Sequence, residues 1–441
     1  MDTTLALLPS WTAKTGLTLL VSTALTAPAL AQATTFSVDP ASPSNGAAAC
    51  AGGTLRAGDV LHPATASFAP ELAAPNPVCF AIRGGGGAGS LGLMLPDVAD
   101  IDALSYADDL PLQQVIPPAT VWFSVTRPAR GAMLTYAKSV TTERAVGDSA
   151  ASVFLDVGLP QIPIPIGVVG FHTEAIDGDG LVNAAGVTSP GFGLIEPELA
   201  GAGVDADDVD ALDVDDTEAG FVLFSVDGLL PDPCTGLVGN GTGPMLGYPP
   251  AAVLASNLSG APPIVWAPAA ALGLDTNGIG TDDLDALAVW DNGNRMFDKP
   301  DVPLQWANGS ADMVLFSVRA SSWVVGQPDS ASGTPIEPGD VLMPPVAGGL
   351  NNLPAILIPA EALGLATDRS GSSWLCNAMV MADDLNALDL VKGVQFDCNG
   401  NGEEDALEIF DGKVQDTNRN GIPDDCEEFP FLDVRPWAIR R

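Results

Sequence analysis

Two short stretches near the C-terminus place acidic and amide side chains at the spacing of a cation-binding loop. In the first, oxygen-bearing side chains occupy positions 1, 3, 5, 9 and 12 of twelve, and glycine occupies position 6, where the chain must turn sharply. These side chains are Asp397, Asn399, Asn401, Asp405 and Glu408, with Gly402 at position 6 and the backbone carbonyl of Glu403 at position 7. Because Ca²⁺ takes roughly six to eight oxygen ligands in flexible geometry, the pattern predicts a calcium site.

The second stretch repeats the pattern and begins 19 residues after the first. Its ligand positions are filled by Asp416, Asn418, Asn420, Asp424 and Glu427, with Gly421 at position 6 and the carbonyl of Ile422 at position 7. The sequence therefore predicts two sites for Ca²⁺ within residues 397–427. The alternative is a pair of Asx and glycine turns that form without metal.

Cysteine placement predicts a covalent tie between the two loops. Cys398 and Cys426 occupy non-ligand positions, 2 in the first loop and 11 in the second. A disulfide between them would stabilise a module that is too small for a large core. The next candidate pair is Cys50–Cys79, which leaves Cys234–Cys376.

Residues 397–427 resemble thrombospondin type 3 repeats and dockerin repeats. The stretch from Asp416 to Cys426 reads DTNRNGIPDDC, close to the thrombospondin pattern of alternating Asp or Asn followed by Gly-Ile-Pro-Asp-x-Cys. The resemblance implies calcium binding and does not point to any particular activity. It departs from dockerins in the 19-residue spacing, which leaves little room for a helix after each loop and argues against cohesin binding.

Repeated elements earlier in the chain form the scaffold that carries this segment. Phe-Ser-Val occurs four times, beginning at Phe36, Phe123, Phe224 and Phe316. Four acidic elements end at Leu104, Leu212, Leu287 and Leu388; three have the form Asp-x-Asp-Ala-Leu, and the last has Asn386 in place of the second aspartate. Short apolar segments flanked by Gly, Pro or Asp indicate strands rather than helices. The sequence predicts an all-β domain of four units, with four strands in each unit.

The order of the elements predicts how the units close. Each acidic element runs into the next Phe-Ser-Val after a short gap, which favours a hairpin. The last acidic strand (387–390) would then pair with the first Phe-Ser-Val strand (36–38) and close a β-propeller. An Asp-Ala pair at the start of each unit resembles hemopexin-type four-bladed propellers. Tandem β-sandwiches and an open solenoid remain as alternatives.

Acidic motifs inside the repeats offer a second set of candidate ligands. The stretch Asp282-Asp283-Leu284-Asp285 and its counterparts could each present carboxylates to a cation. The stretches 177–180 (DGDG) and 275–278 (DTNG) begin like calcium loops but lack the later ligands. The alternative is that these aspartates cap strands and make turns.

Composition restricts the class of partner and of activity. Asp and Glu number 55 against 17 Lys and Arg, a net charge of −38, which excludes nucleic acid. Only His62 and His172 could serve a triad, and neither lies in a catalytic signature. We therefore expect a non-enzymatic extracellular binding or structural role, with a polysaccharide or protein as partner. A glycosidase needs only two carboxylates and remains the alternative. Its candidate sugar-stacking residues are Trp266, Trp290, Trp306, Trp323 and Trp374.

The N-terminus predicts export. Lys14 precedes an apolar run from Leu17 to Leu30, and Ala29-Leu30-Ala31 fits a signal-peptidase site. No second long apolar run follows, so we expect a secreted or periplasmic protein without membrane insertion. The expected organisation is a signal peptide (1–31), a four-unit β-repeat domain (32–392), an EF-hand-type calcium module (393–428) and a tail (429–441).

Overall fold

The computed structural model describes residues 34–48, 53–63, 78–82, 91, 93–94, 100–106, 120–126, 129–131, 139–157, 172–181, 188–195, 207–214, 220–228, 230–231, 247–376, 379–390, 397, 399 and 401–427. The predicted signal peptide (1–31), the tail (429–441) and three cysteines, Cys50, Cys234 and Cys398, lie outside the described residues. Of Cys79, Cys376 and Glu427, only the backbone is described.

Short strands rich in Val, Leu, Ile and Phe form four antiparallel sheets of four strands, arranged as the blades of a β-propeller. Blade I consists of β20 (Leu385–Asp389), β1 (Thr35–Val38), β2 (Val60–Pro63) and β3 (Val78–Ile82). Blade II consists of β5 (Ala103–Ser105), β6 (Thr120–Ser124), β8 (Val153–Val157) and β9 (His172–Ile176). Blade III consists of β10 (Val209–Val214), β11 (Val222–Val226), β12 (Val253–Ser256) and β13 (Ile264–Ala267). Blade IV consists of β14 (Leu284–Trp290), β15 (Met313–Val318), β16 (Val341–Met343) and β17 (Ala355–Ile358).

Two small sheets and several short helices lie outside the four blades. Two small sheets pair β4 (Leu93–Met94) with β7 (Arg130–Gly131) and β18 (Trp374–Cys376) with β19 (Met379–Met381). The helices are Val140–Val146, Ala269–Leu272, Asp405–Phe410 and Asp424–Glu427, with 3-10 turns at Gln305–Asn308 and Ala360–Leu363. In the part of the chain that is described, no helix has the length and apolar character needed to cross a bilayer.

The predicted repeat elements occupy equivalent places in the blades. Each acidic element forms the innermost strand, and each Phe-Ser-Val element forms the second strand, paired with it as an antiparallel hairpin in blades II to IV. The four innermost strands, β5, β10, β14 and β20, pack against one another around a common axis. The all-β, four-unit prediction is therefore confirmed.

Closure of the ring joins the two ends of the repeat domain. Strand β20 pairs with β1, with Phe36 opposite Leu388 and Ser37 opposite Ala387. A register shift follows, which places Val38 opposite Leu385. The predicted pairing of the first and last strands is confirmed, and the chain forms neither tandem sandwiches nor an open solenoid.

Apolar side chains fill the spaces between neighbouring blades. Four buried clusters are present among the described residues, one at each interface between blades. The phenylalanine of every Phe-Ser-Val element is fully buried, with 0 % exposure at Phe36, Phe123, Phe224 and Phe316. Burial of such aromatic rings supplies the main favourable free energy of packing between sheets.

The serine of the same element fastens each blade to the next. Its buried hydroxyl donates a hydrogen bond to the carbonyl of the residue between the two acids of the following blade. The four bonds join Ser37 to Ile101 at 2.8 Å, Ser124 to Val209 at 2.8 Å, Ser225 to Leu284 at 3.0 Å and Ser317 to Leu385 at 2.6 Å. A buried hydroxyl group needs a hydrogen-bond partner. The serine of this apolar motif finds that partner across the interface with the next blade.

Candidate cation-binding sites

The first C-terminal loop turns its oxygens towards one another. The backbone N–H of Asn401 donates to Oδ1 of Asp397 and to Oδ1 of Asn399, both at 3.0 Å. The N–H of Gly402 donates to Oδ2 of Asp397 at 2.6 Å. Gly402 has φ of 88°, a left-handed conformation that glycine adopts without strain. The predicted residues at positions 1, 3 and 5 thus wrap around the same turn.

The carboxylate at position 12 returns to this turn. Side-chain amides of Asn399 and Asn401 donate to the two oxygens of Glu408, at 2.9 and 2.8 Å. Glu408 is 4 % exposed, and Asp405, which begins a helix at position 9 of the loop, is 1 % exposed. Glu403 places its side chain outwards against Lys413, so only its backbone carbonyl can serve the loop, as predicted for position 7.

The second loop has the same backbone pattern. The N–H of Asn420 donates to Oδ1 of Asp416 at 3.2 Å and to Oδ1 of Asn418 at 3.1 Å. The N–H of Gly421 donates to Oδ2 of Asp416 at 2.9 Å, and that of Ile422 donates to Oδ1 of Asn420 at 3.0 Å.

The two loops differ at position 9. Both carboxylate oxygens of Asp424 accept from Thr417, one from its N–H at 2.7 Å and one from its hydroxyl at 2.6 Å. These hydrogen bonds lower the pKa of Asp424.

Cys426 takes part in a disulfide bond. Its predicted pairing with Cys398 stays a prediction, because Cys398 lies outside the described residues.

The loop module lies against blade IV. Ala406 is buried in the core cluster between blades IV and I, and Phe410 packs on that cluster. A Cβ atom on Gly421 would lie 3.2 Å from Pro359. A cleft of about 530 Å³ separates the second loop from the 3-10 turn of blade IV, with Glu361, Arg369 and Arg419 in its walls. The loops are thus held by the propeller.

A second concentration of carboxylates lies on the propeller axis. Alternate residues of a strand face the same side, so the two acids of each Asp-x-Asp element point inwards together. The eight inward positions are held by Asp100, Asp102, Asp208, Asp210, Asp283, Asp285, Asp384 and Asn386, and none is more than 9 % exposed. The amide of Asn386 donates to Asp100 at 3.0 Å and to Asp102 at 3.2 Å, which joins blade I to blade II.

The residue after Phe-Ser-Val adds a second layer, which the sequence analysis missed. In the four blades this residue is Asp39, Thr126, Asp227 and Arg319. The guanidinium of Arg319 lies 2.5 Å from Oδ1 of Asp227 and 3.7 Å from Oδ2 of Asp283. Their shared place directly after a repeated motif is the signal that could have identified them.

Electrostatics of the axis favour neutral or cation-bound carboxyl groups. Burial first, and repulsion from neighbouring carboxylates second, raise the pKa of Asp100, Asp102, Asp210, Asp283, Asp285 and Asp384 well above the usual range. Burial alone would lower the pKa of Arg319, but the surrounding carboxylates raise it instead.

The first aspartate of the Asp-Asp pairs has the capping role. Asp282 accepts hydrogen bonds from the backbone N–H of Asp275 at 2.7 Å and of Val324 at 2.9 Å. Asp383 likewise accepts from the N–H of Ser44 and of Ala366. The capping alternative therefore holds for the first aspartate of each pair. The residues that face the axis remain candidate cation ligands.

The weaker acidic motifs make turns. Oδ1 of Asp275 accepts from the N–H groups of Thr281 and Asp282 at 3.1 and 3.2 Å. Oδ1 of Asp179 accepts from the N–H of Leu181 at 2.6 Å. The Asp179 bond forms an Asx turn, and the Asp275 bonds close a longer loop, so both motifs take the turn-making alternative stated above.

His172 and most of the candidate tryptophans are packed inside the protein. His172 lies between the rings of Phe123 and Phe154, donates through Nδ1 to the Leu91 carbonyl and accepts through Nε2 from the Val140 N–H. Burial lowers its pKa, so it is a neutral structural residue. Among the five candidate tryptophans, Trp306 and Trp266 are buried, Trp290 and Trp323 are half-buried, and Trp374 is 49 % exposed.

An isolated acid away from the axis gives a pH-dependent prediction. Asp156 in β8 is 6 % exposed, and burial raises its pKa from 3.8 to about 7. The folded state binds this proton more tightly than the unfolded state, so stability present below pH 3.8 is lost as the pH rises towards 7. That displacement corresponds to about 4 kcal/mol. We expect Asp156→Asn to match the wild type near pH 4 and to melt higher at pH 8.

Thermal melts at both pH values measure this difference. The exposed Asp301 supplies the control, since Asp301→Asn should leave the melting temperature unchanged at either pH. An equal effect of Asp156→Asn at both pH values would show that the carboxyl group does not titrate as described.

Comparisons with known proteins assign no relative. No protein-family model, no curated protein and no solved structure matches this chain.

Proposed function

We propose that this chain is an exported, non-enzymatic protein in which a four-bladed propeller carries two calcium ions in its C-terminal loops. The observation that carries the proposal is the recurrence of one hydrogen-bond pattern in both loops. In each loop the N–H groups at positions 5 and 6 hold the first aspartate, Asp397 or Asp416, towards the centre of the turn.

The chemistry of the donors supports calcium over softer metals. Each predicted ligand set contains carboxylate, amide and backbone carbonyl oxygens and no imidazole or thiolate ligand, which suits a hard cation. In the first loop the Glu408 carboxylate is held by Asn399 and Asn401 so that both of its oxygens face the other ligands. The resemblance to thrombospondin type 3 and dockerin repeats supports the same assignment.

Extracellular binding or scaffolding is the role that we propose for the propeller. The apolar run before Ala31 supports export, and the charge of −38 favours a partner such as a polysaccharide or protein over nucleic acid. The alternative, a carbohydrate-active enzyme, requires two carboxylates within reach of a sugar. The inward-facing aspartates of the described blades are at most 9 % exposed, so they do not favour that alternative.

Calcium titration by calorimetry tests the loop sites. With the chain from residue 32 onwards, we expect Glu408→Gln to remove one calcium ion and Asp416→Asn to remove another. Each substitution neutralises a ligand that the metal needs charged. Chelation by EDTA should lower the melting temperature of the wild type. The decrease should be smaller in the double variant, because its loops no longer bind calcium.

Glu403→Gln is the matched control in the same loop. Its side chain faces Lys413 and supplies no ligand oxygen, so the number of bound ions should not change. Unchanged stoichiometry in Glu408→Gln and Asp416→Asn, or absence of binding heat in the wild type, would reject the loop sites.

A further inference from the structure

Among the described residues, the propeller axis holds many more buried carboxyl groups than cations. Nine carboxylates lie on it or beside it, in the set Asp39, Asp100, Asp102, Asp208, Asp210, Asp227, Asp283, Asp285 and Asp384. Arg319 is the cation that interacts with this set among the described residues. Burying an uncompensated charge is costly, so these carboxyl groups must be either protonated or bound by a further cation.

Two buried acids away from the axis have well-defined protein partners. Asp340, 0 % exposed, lies 2.5 Å from the guanidinium of Arg369, which also binds Glu361 at 2.7 Å. Asp383, also 0 % exposed, accepts from backbone N–H groups. On the axis, one oxygen of each of several carboxylates is buried without a hydrogen-bond partner in the described structure. These residues are Asp100, Asp210, Asp283, Asp285 and Asp384.

Three axial carboxylates converge between blades III and IV. One oxygen from each of Asp210, Asp227 and Asp283 lies within 4.8 Å of the other two. Oδ2 of Asp210 and Oδ1 of Asp283 are buried without a hydrogen-bond partner, and the two residues are 6 % and 0 % exposed. Unpaired buried oxygens at such a cluster point to a ligand that supplies positive charge.

We propose that Asp210, Asp227 and Asp283 bind one hard divalent cation inside the propeller, with Ca²⁺ as the ion of matching chemistry. All three donors are carboxylates, which favour Ca²⁺, Mg²⁺ or Mn²⁺ over zinc or copper. At a Ca–O distance of about 2.4 Å, oxygens on opposite sides of the ion are about 4.8 Å apart, so three converging carboxylates can share it.

The axial ion would be structural and separate from the C-terminal loops. It joins Asp210 and Asp227 of blade III to Asp283 at the start of blade IV, where Arg319 already neutralises part of the charge. This site depends on no residue of the loops, so it stands or falls independently of the function proposed above.

The test uses a background in which the loop sites are disabled. In the double variant Glu408→Gln/Asp416→Asn, freed of metal with EDTA and titrated with Ca²⁺ by calorimetry, we expect one ion per chain to remain. Adding Asp210→Asn should abolish this ion. Adding Asp384→Asn, an axial carboxylate outside the triad, should retain it. Circular dichroism identifies any variant that does not fold, and Asp283→Asn then replaces Asp210→Asn.

Thermal melts supply a second test, because the effect of Asp210→Asn on the melting temperature should be opposite with and without Ca²⁺. Without metal, Asp210→Asn removes a repelling charge and should raise the melting temperature of the double variant. With saturating Ca²⁺, the same substitution removes a ligand and should lower it. Absence of calcium binding in the double variant would show that protons alone neutralise the axis and would overturn the proposal. Binding that survives both Asp210→Asn and Asp283→Asn would overturn the assignment to this triad.

Discussion

Arg319→Met should lower the free energy of unfolding by about 3 to 5 kcal/mol in metal-free buffer at neutral pH, since removing one partner of a buried ion pair leaves its charge uncompensated. The guanidinium lies 2.5 Å from Asp227 and 3.7 Å from Asp283, and both acids are buried. Methionine fills a similar volume without charge, so the loss reports electrostatics more than packing. Urea denaturation in the presence of EDTA measures it.

Two comparisons separate this electrostatic effect from a general loss of fold. Lys299→Met removes an exposed positive charge and should change the free energy of unfolding by less than about 0.5 kcal/mol. Adding Asp227→Asn to Arg319→Met removes one of the carboxylates that Arg319 contacts and should restore part of the lost stability. If the second substitution restores nothing, Arg319 acts through packing and the charge argument fails.

Phe36→Ala should be about as destabilising in total as Phe224→Ala, at about 3 to 5 kcal/mol each, because both rings are fully buried in equivalent positions. The two variants should differ in where the molecule opens. Phe36 lies in β1 opposite Leu388 of β20, so its loss weakens the pairing that closes the ring. Phe224 lies in a hairpin strand, β11, whose partner β10 precedes it closely along the chain.

Hydrogen exchange followed by mass spectrometry distinguishes the two cases. In Phe36→Ala, we expect amides of β1 and β20 to exchange faster than those of β10 and β11, because the ring can open locally at its closure. In Phe224→Ala, amides of all blades should accelerate together. Equal acceleration of every strand in Phe36→Ala would mean that the closure is no weaker than the rest of the ring.

Repetition made the fold predictable from sequence. The acidic and Phe-Ser-Val elements recur in a fixed order, and period and length alone identify them as strands. The phase of the cycle then predicted the β1–β20 pairing, which the register of Phe36 with Leu388 confirms. Local sequence patterns do not normally show which distant strands pair. In a repeat, the pairing expected within one unit predicts the pairing of the equivalent strands in the others.

The axial site was only partly predictable, for a physical reason. The Asp-x-Asp spacing places Asp283 and Asp285 on one face of a strand, but sequence alone does not show that four such faces meet. Asp227 and Arg319 follow Phe-Ser-Val, and their different residue types concealed their common position. The role of the serine in that motif was also not predicted. In the structure, the Ser225 hydroxyl donates a hydrogen bond to the Leu284 carbonyl of the next blade.

Strand pairing across the closure also affects how the protein is made. Thr35 and its partner Asp389 are 354 residues apart, so at roughly 5 to 20 residues per second β1 waits tens of seconds for β20 to be synthesised. Throughout that time one edge of blade I is an open template for any other strand. Two crowded nascent chains could each complete the first blade of the other, so an exchanged dimer is the expected by-product of rapid overproduction.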